Sequence, residues 1–174
     1  MTIGKHRRRF VTLIFMVALV LPLAIAPADA ATIVALGASN TYGKGVSRAE
    51  AYPAQLEVLL RAKGYGARVI NAGINGDTTA GMLSRLERAV PNGTSIVILQ
   101  PGGNDARKGK ASESSGNLSA IEHRLSARGI RLIMLPNAML GPLPHQPDGM
   151  HLTAQGYRML AEALLPQLTA AMGR

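Results

Sequence analysis

The sequence predicts an α/β protein, a parallel sheet covered by helices on both faces. Three observations point to it. Four short apolar runs, at about residues 32–36, 68–71, 95–99 and 130–135, read as buried strands. Segments with apolar residues at helical spacing separate those runs. The first three runs each end in a polar, glycine-containing turn. Strands that alternate with amphipathic helices bury a parallel sheet between two helical layers. Right-handed crossovers then bring every strand's carboxyl end to one rim, where open α/β sheets hold their ligands.

The first run, Thr32 to Leu36, leads into Gly37, Ala38, Ser39 and Asn40 and sets Ser39 at that rim. Tyr52, Leu56, Leu59 and Leu60 then recur at helical spacing, and Gly64 is a natural stop. A second strand over residues 68–71 enters the turn Asn75, Gly76 and Asp77. Asp77 or Thr78 can cap the next helix, whose apolar positions are Met82, Leu83, Leu86 and Val90. The third strand, residues 95–99, runs into Gly102, Gly103, Asn104 and Asp105. Residues 106–116 are rich in Lys, Ser and Gly and read as a mobile surface loop. A helix follows with Leu118, Ile121 and Leu125 inward, and then the fourth strand. Residues 136–147 hold four prolines and read as a loop. The last helix begins near Thr153, and Pro166 should kink or break it.

The amino terminus reads differently. Lys5, Arg7, Arg8 and Arg9 precede an almost purely apolar stretch over residues 10–26, and Ala28, Asp29 and Ala30 fit a small-x-small cleavage site. That order predicts a secretory signal peptide over residues 1–30, cleaved after Ala30, with export to the periplasm or beyond. An uncleaved membrane anchor would want about 20 apolar residues. The three arginines loosely resemble a twin-arginine signal, but the strongly apolar core favours the ordinary secretory route. Residues 31–174 remain as one domain, long enough for one packed core. Four of the 19 Lys and Arg and one of the ten Asp and Glu lie in the leader, so cleavage lowers the net charge from +9 to +6. A mild positive charge fits a solvated basic surface or contact with anionic envelope surfaces. No nucleic-acid motif is present, and aromatic residues for base stacking make up only 3% of the chain. The lack of cysteine excludes thiol catalysis, disulfides and cysteine metal sites.

Serine is a weak nucleophile and needs an adjacent base. The predicted domain holds His123, His145 and His151. His123 lies mid-helix among charged residues and reads as solvated. His151 follows Asp148 by three residues, a spacing that lets a turn carboxylate fix the imidazole tautomer so that the other nitrogen faces Ser39. The spacing equally permits a plain turn and a histidine packed at a helix start. Acyl transfer also needs donors for a developing oxyanion. The Gly76 backbone N–H and the Asn104 amide are candidates, though each also fits an ordinary turn. Position 41 is threonine, so Ser39 is not in a Gly-x-Ser-x-Gly elbow. Gly37 to Gly45 has the wrong spacing for a phosphate loop. A metal site from His145, Asp148 and His151 lacks a further ligand cluster.

These four blocks resemble the SGNH hydrolases, or GDSL esterase/lipase family. Gly37, Ala38 and Ser39 stand for the first, Gly76 in its Asn-Gly-Asp turn for the second, Gly102, Gly103 and Asn104 for the third, and Asp148 with His151 for the last. The likeness spans about residues 32–170 and is nearest the exported thioesterase I, lysophospholipase and arylesterase type. It implies a three-layer, flavodoxin-like α/β/α fold with four to five parallel strands. It implies catalysis by Ser39, His151 and Asp148, with an oxyanion hole from the Ser39 and Gly76 N–H groups and the Asn104 side chain. The implied substrate is a small ester or thioester, lipids included, and no metal or organic cofactor is required. Removal of O-acetyl groups from polysaccharide is the alternative activity. A non-catalytic binding protein on the same scaffold is the alternative of another class. Two departures stand out. Ala38 replaces an aspartate usual in the family, and residues 136–147 are short for the helix and fifth strand usually found there.

Overall fold

The computed structural model describes residues 30–173. The expected signal peptide lies outside the described residues, except for Ala30. Among the described residues no helix is long and apolar enough to cross a membrane.

Four strands form the sheet: β1 (Ala31–Gly37), β2 (Ala67–Gly73), β3 (Thr94–Gln100) and β4 (Arg131–Met134). Their spatial order is β2-β1-β3-β4, and every pairing is parallel. The three-layer α/β/α expectation therefore holds, with four strands and no fifth among the described residues. Alternate side chains of each strand serve opposite layers. Ile33, Ile96 and Ile98 meet α2 (Tyr52–Ala62) and α7 (Ala154–Ala171) through Leu56, Leu60 and Leu160. Val34, Leu36 and Leu99 meet α3 (Thr79–Ser84), α4 (Leu86–Ala89) and α6 (Ala111–Ala127) through Met82, Leu86 and Ile121. Two single-turn helices, α1 (Ser39–Tyr42) and α5 (Asn104–Arg107), start at the rim directly after β1 and β3.

Three local expectations change. The helix expected over residues 82–90 is two short helices, because Arg85 between them is drawn inward to Asp77. Residues 106–116 are not one loop: they hold the end of α5 and the start of α6, whose exposed first turns are carried by the anchored Ile121 and Leu125 further on. Pro166 does not break α7, which runs on to Ala171. Pro166 lies on the exposed face, and Thr169 Oγ donates to its carbonyl. Thr78 caps α3, accepting from the Gly81 N–H at 3.2 Å.

Candidate active site

The strand ends bring the candidate residues together. The chain leaves β1 at Gly37, where an added Cβ would collide with the Thr41 side chain and the Gln100 carbonyl. Glycine therefore lets α1 fold back against the sheet and start its helix at Ser39. Gly73, at the end of β2, is needed for the same reason, since a Cβ there would strike the backbone of Tyr42.

Ser39 Oγ lies 2.9 Å from His151 Nε2, and His151 Nδ1 lies 2.5 Å from Asp148 Oδ2. Asp148 Oδ1 accepts the backbone N–H groups of Met150 (2.9 Å) and His151 (3.0 Å). The hydrogen bond from the His151 ring, and then these two N–H groups, hold the Asp148 carboxyl well below the usual carboxylate range. The ionised carboxylate fixes the proton on Nδ1, so Nε2 is the acceptor that faces the serine hydroxyl. Of the two readings of the Asp148–His151 spacing, the geometry is that of the oriented imidazole.

Gly76 adopts φ +74°, in the left-handed region where glycine is unstrained. Among the described residues neither its N–H nor that of Ser39 meets an acceptor. Asn104 is buried, and its Nδ2 donates to the Asp77 carbonyl at 2.7 Å. Its Oδ1 accepts from Arg107 Nη2, also at 2.7 Å. That pairing fixes the amide orientation and leaves a second Nδ2 hydrogen available. Ser39, Gly76 and Asn104 line one cavity together with His151. His145 joins none of this: it lines the neighbouring cavity, and its backbone pairs with Leu152. His123 is exposed on α6.

Four supporting residues were not found from the sequence. Asn40 ties α1 to the histidine loop, donating to Met150 O (3.0 Å) and accepting from Leu152 N (3.3 Å) and Tyr157 Oη (3.0 Å). Gln100, fully buried at the end of β3, turns Oε1 toward the Ala38 N–H and the Thr41 hydroxyl, both at 3.4 Å. Its Nε2 donates to Asn137 Oδ1 at 3.0 Å. A neutral amide thus supports the Ser39 turn, while the Ala38 methyl packs among Val34, Leu36 and Leu99. Arg85 binds Asp77 Oδ2 through Nε and Nη2, both at 2.8 Å, and reaches Gly37 O at 3.2 Å, cross-linking two rim loops. Arg107 orients Asn104. An arginine between Leu83 and Leu86, and a glutamine closing an apolar strand, were the available signals.

A three-layer α/β/α fold with a serine, histidine and aspartate in a hydrogen-bonded row at the strand ends is the architecture of GDSL/SGNH hydrolases. Residues 35–164 match the model of the GDSL-like Lipase/Acylhydrolase family, and the chain belongs to that family. Esterase TesA of Pseudomonas aeruginosa is 33% identical over 119 residues, which are 67% of this chain and 59% of that protein. The match thus spans about three-fifths of that relative's length. A crystal structure of TesA superposes with a TM-score of 0.72 at 25% identity, over 80% of this chain and 99% of that one. The structure of AlinE4, described as an SGNH-hydrolase family esterase, gives 0.61 at 28% identity, over 86% and 100%.

Proposed function

We propose that this protein is an exported serine esterase that hydrolyses carboxylic esters, thioesters included, through an acyl-enzyme. The observation that carries the reading is the row Ser39–His151–Asp148 beside unoccupied N–H donors. Ser39 Oγ attacks the ester carbonyl while its proton passes to His151 Nε2. The carbonyl oxygen becomes an oxyanion held by the Ser39 and Gly76 N–H groups and by Asn104 Nδ2. Asp148 keeps the imidazole oriented and stabilises its charged form. As the tetrahedral centre collapses, the bond to the leaving oxygen or sulfur breaks, and His151 hands it the proton. Water then attacks the acyl-Ser39, gives its proton to His151, and the acid departs as the proton returns to Ser39.

Hydrolysis of nitrophenyl esters of several chain lengths, wild type against Ser39→Ala, tests the proposal. Loss of the nucleophile of such a unit costs roughly 10⁶-fold in kcat; equal rates would sink the assignment. A fluorophosphonate probe that labels Ser39 in the folded protein separates an enzyme from a binding protein on the same scaffold. Export is tested by amino-terminal sequencing of the protein from its native host, with Ala31 expected as the first residue.

A further inference from the structure

The Gly76 N–H and the Asn104 amide come from different loops. Gly76 lies in the turn between β2 and α3, and Asn104 opens α5 after β3. Their separation is set by whatever joins those loops. Packing does not join them at Gly76. Ile74 and Asn75 beside it are exposed, and a Cβ added to Gly76 would meet no atom within 4 Å. Polar contacts from α5 and the residue after it do the joining. Asp105 accepts the Thr79 hydroxyl at 2.6 Å and the Thr79 N–H at 3.1 Å. Asn104 Nδ2 donates to the Asp77 carbonyl at 2.7 Å. Lys108 Nζ donates to the Gly76 carbonyl, also at 2.7 Å. One short stretch of chain thus clasps residues 76, 77 and 79.

The Lys108 contact differs from the other two. Asn104 and Asp105 are buried, whereas Lys108 is exposed. Among the described residues the Gly76 carbonyl is the one partner of its side chain, and no carboxylate pairs with it. The Lys108 backbone N–H donates to the Asn104 carbonyl at 3.0 Å. The lysine therefore leaves from the same turn that carries the Asn104 amide. Holding a flexible lysine in one place costs side-chain entropy, and an exposed contact of this kind adds little to the stability of the fold. Its consequence is local. Lys108 lines neither cavity at Ser39, yet it holds the peptide that follows the Gly76 N–H.

We propose that Lys108 is a positioning residue for the oxyanion hole: by holding the Gly76 carbonyl it fixes the Gly76 N–H relative to the Asn104 amide. The proposal rests on the reading of Gly76 and Asn104 as oxyanion donors. The oxyanion forms only as Ser39 adds to the ester carbonyl, so a displaced donor lowers kcat and leaves substrate binding almost unchanged.

The test is steady-state hydrolysis of a nitrophenyl ester by Lys108→Met, which keeps an apolar stem and loses the donor. Removing an oxyanion donor outright costs about 10²–10³-fold in kcat. Here the loop stays clasped at Asp77 and Thr79, so kcat should fall less, about tenfold, with KM and the urea unfolding midpoint unchanged. Lys108→Arg keeps a cationic N–H donor and should return kcat to within about threefold of wild type. The wild-type advantage over Lys108→Met should survive 0.5 M salt, where the screening length is still about 4 Å and exceeds the contact distance. An advantage that vanishes in that salt marks a distant charge effect and overturns the proposal. So does a rate loss that comes with a lowered urea midpoint, or an arginine variant no faster than the methionine one. Unchanged kcat in Lys108→Met, with Asn104→Ala strongly impaired, overturns the proposal alone. Unchanged kcat in both variants overturns the oxyanion reading as well.

Discussion

Asn40 offers the sharpest test of how the site is held. It follows Ser39 and is the side chain that ties α1 to the loop bearing His151. Asn40→Ala removes one donor and one acceptor. The Met150 carbonyl left behind is on an exposed residue and can turn to water, so its loss costs little. The other two partners cannot: Leu152 and Tyr157 are both fully buried. An orphaned buried polar group costs about 1–3 kcal/mol. The Leu152 bond is long at 3.3 Å and belongs at the low end of that range. The Leu152 N–H also reaches the Tyr157 phenol oxygen, so the two groups still partner each other, and the net destabilisation is about 1–3 kcal/mol. The rate should fall as well, because a misplacement of about 1 Å between reacting groups can cost 10²-fold. We expect kcat for a nitrophenyl ester to drop about 10- to 100-fold with KM changed less. The double variant Asn40→Ala/Tyr157→Phe also takes from the buried Leu152 N–H its remaining acceptor. In urea unfolding it should be less stable than Asn40→Ala by about 1–2 kcal/mol. If the double variant is as stable as the single one, the account of the buried Leu152 N–H is wrong. If Asn40→Ala keeps wild-type rate and stability, the loop is held by something else.

Other expectations follow from the same geometry. Asp148→Asn lets the amide oxygen accept the two backbone N–H groups and turns the NH₂ toward His151 Nδ1. The imidazole then carries its proton on Nε2 and cannot receive one from Ser39, so kcat/KM should fall roughly 10⁴-fold with the fold intact, checked by kinetics and circular dichroism. Arg85→Ala strands Asp77 in a nearly buried pair, with 8% and 10% of the two side chains exposed. It should destabilise the fold by about 3–5 kcal/mol, measured by denaturant unfolding. Burial raises the phenol of Tyr157 to about 12 and that of Tyr52 further still. A raised phenol favours the folded state fully below the unfolded value near 10 and loses that contribution as pH rises toward the folded value. Stability should therefore decline from about pH 10 upward, and Tyr157→Phe should flatten part of that slope in alkaline thermal melts.

The fold was largely legible because each strand is a short apolar run bounded by turn residues, and the side-chain period places the runs in a buried sheet. Ser39, Gly76, Asn104, Asp148 and His151 were legible because each sits just beyond a strand or in the turn before the last helix. The break at Arg85 in the helix expected over residues 82–90 and the start of α6 were missed for one reason. Local composition gave the short-range preference, and a distant partner or an anchored downstream turn overrode it. Asn40 had no short-range signal at all, since its Met150 partner lies 110 positions away in the chain. Gln100 showed only as a polar end to an apolar strand, its Ala38 partner being 62 positions away.

The sequence alone determined the strand-and-helix alternation, the four marker blocks and their order along one rim. These depend on periodicity and on residues whose preferences are local. Only the tertiary structure decided that the Ser39–His151 distance is a hydrogen bond, and that a glutamine supports the turn where Ala38 replaces a carboxylate. Those are relations between residues far apart in the chain, and no local preference encodes a distance across a closed rim.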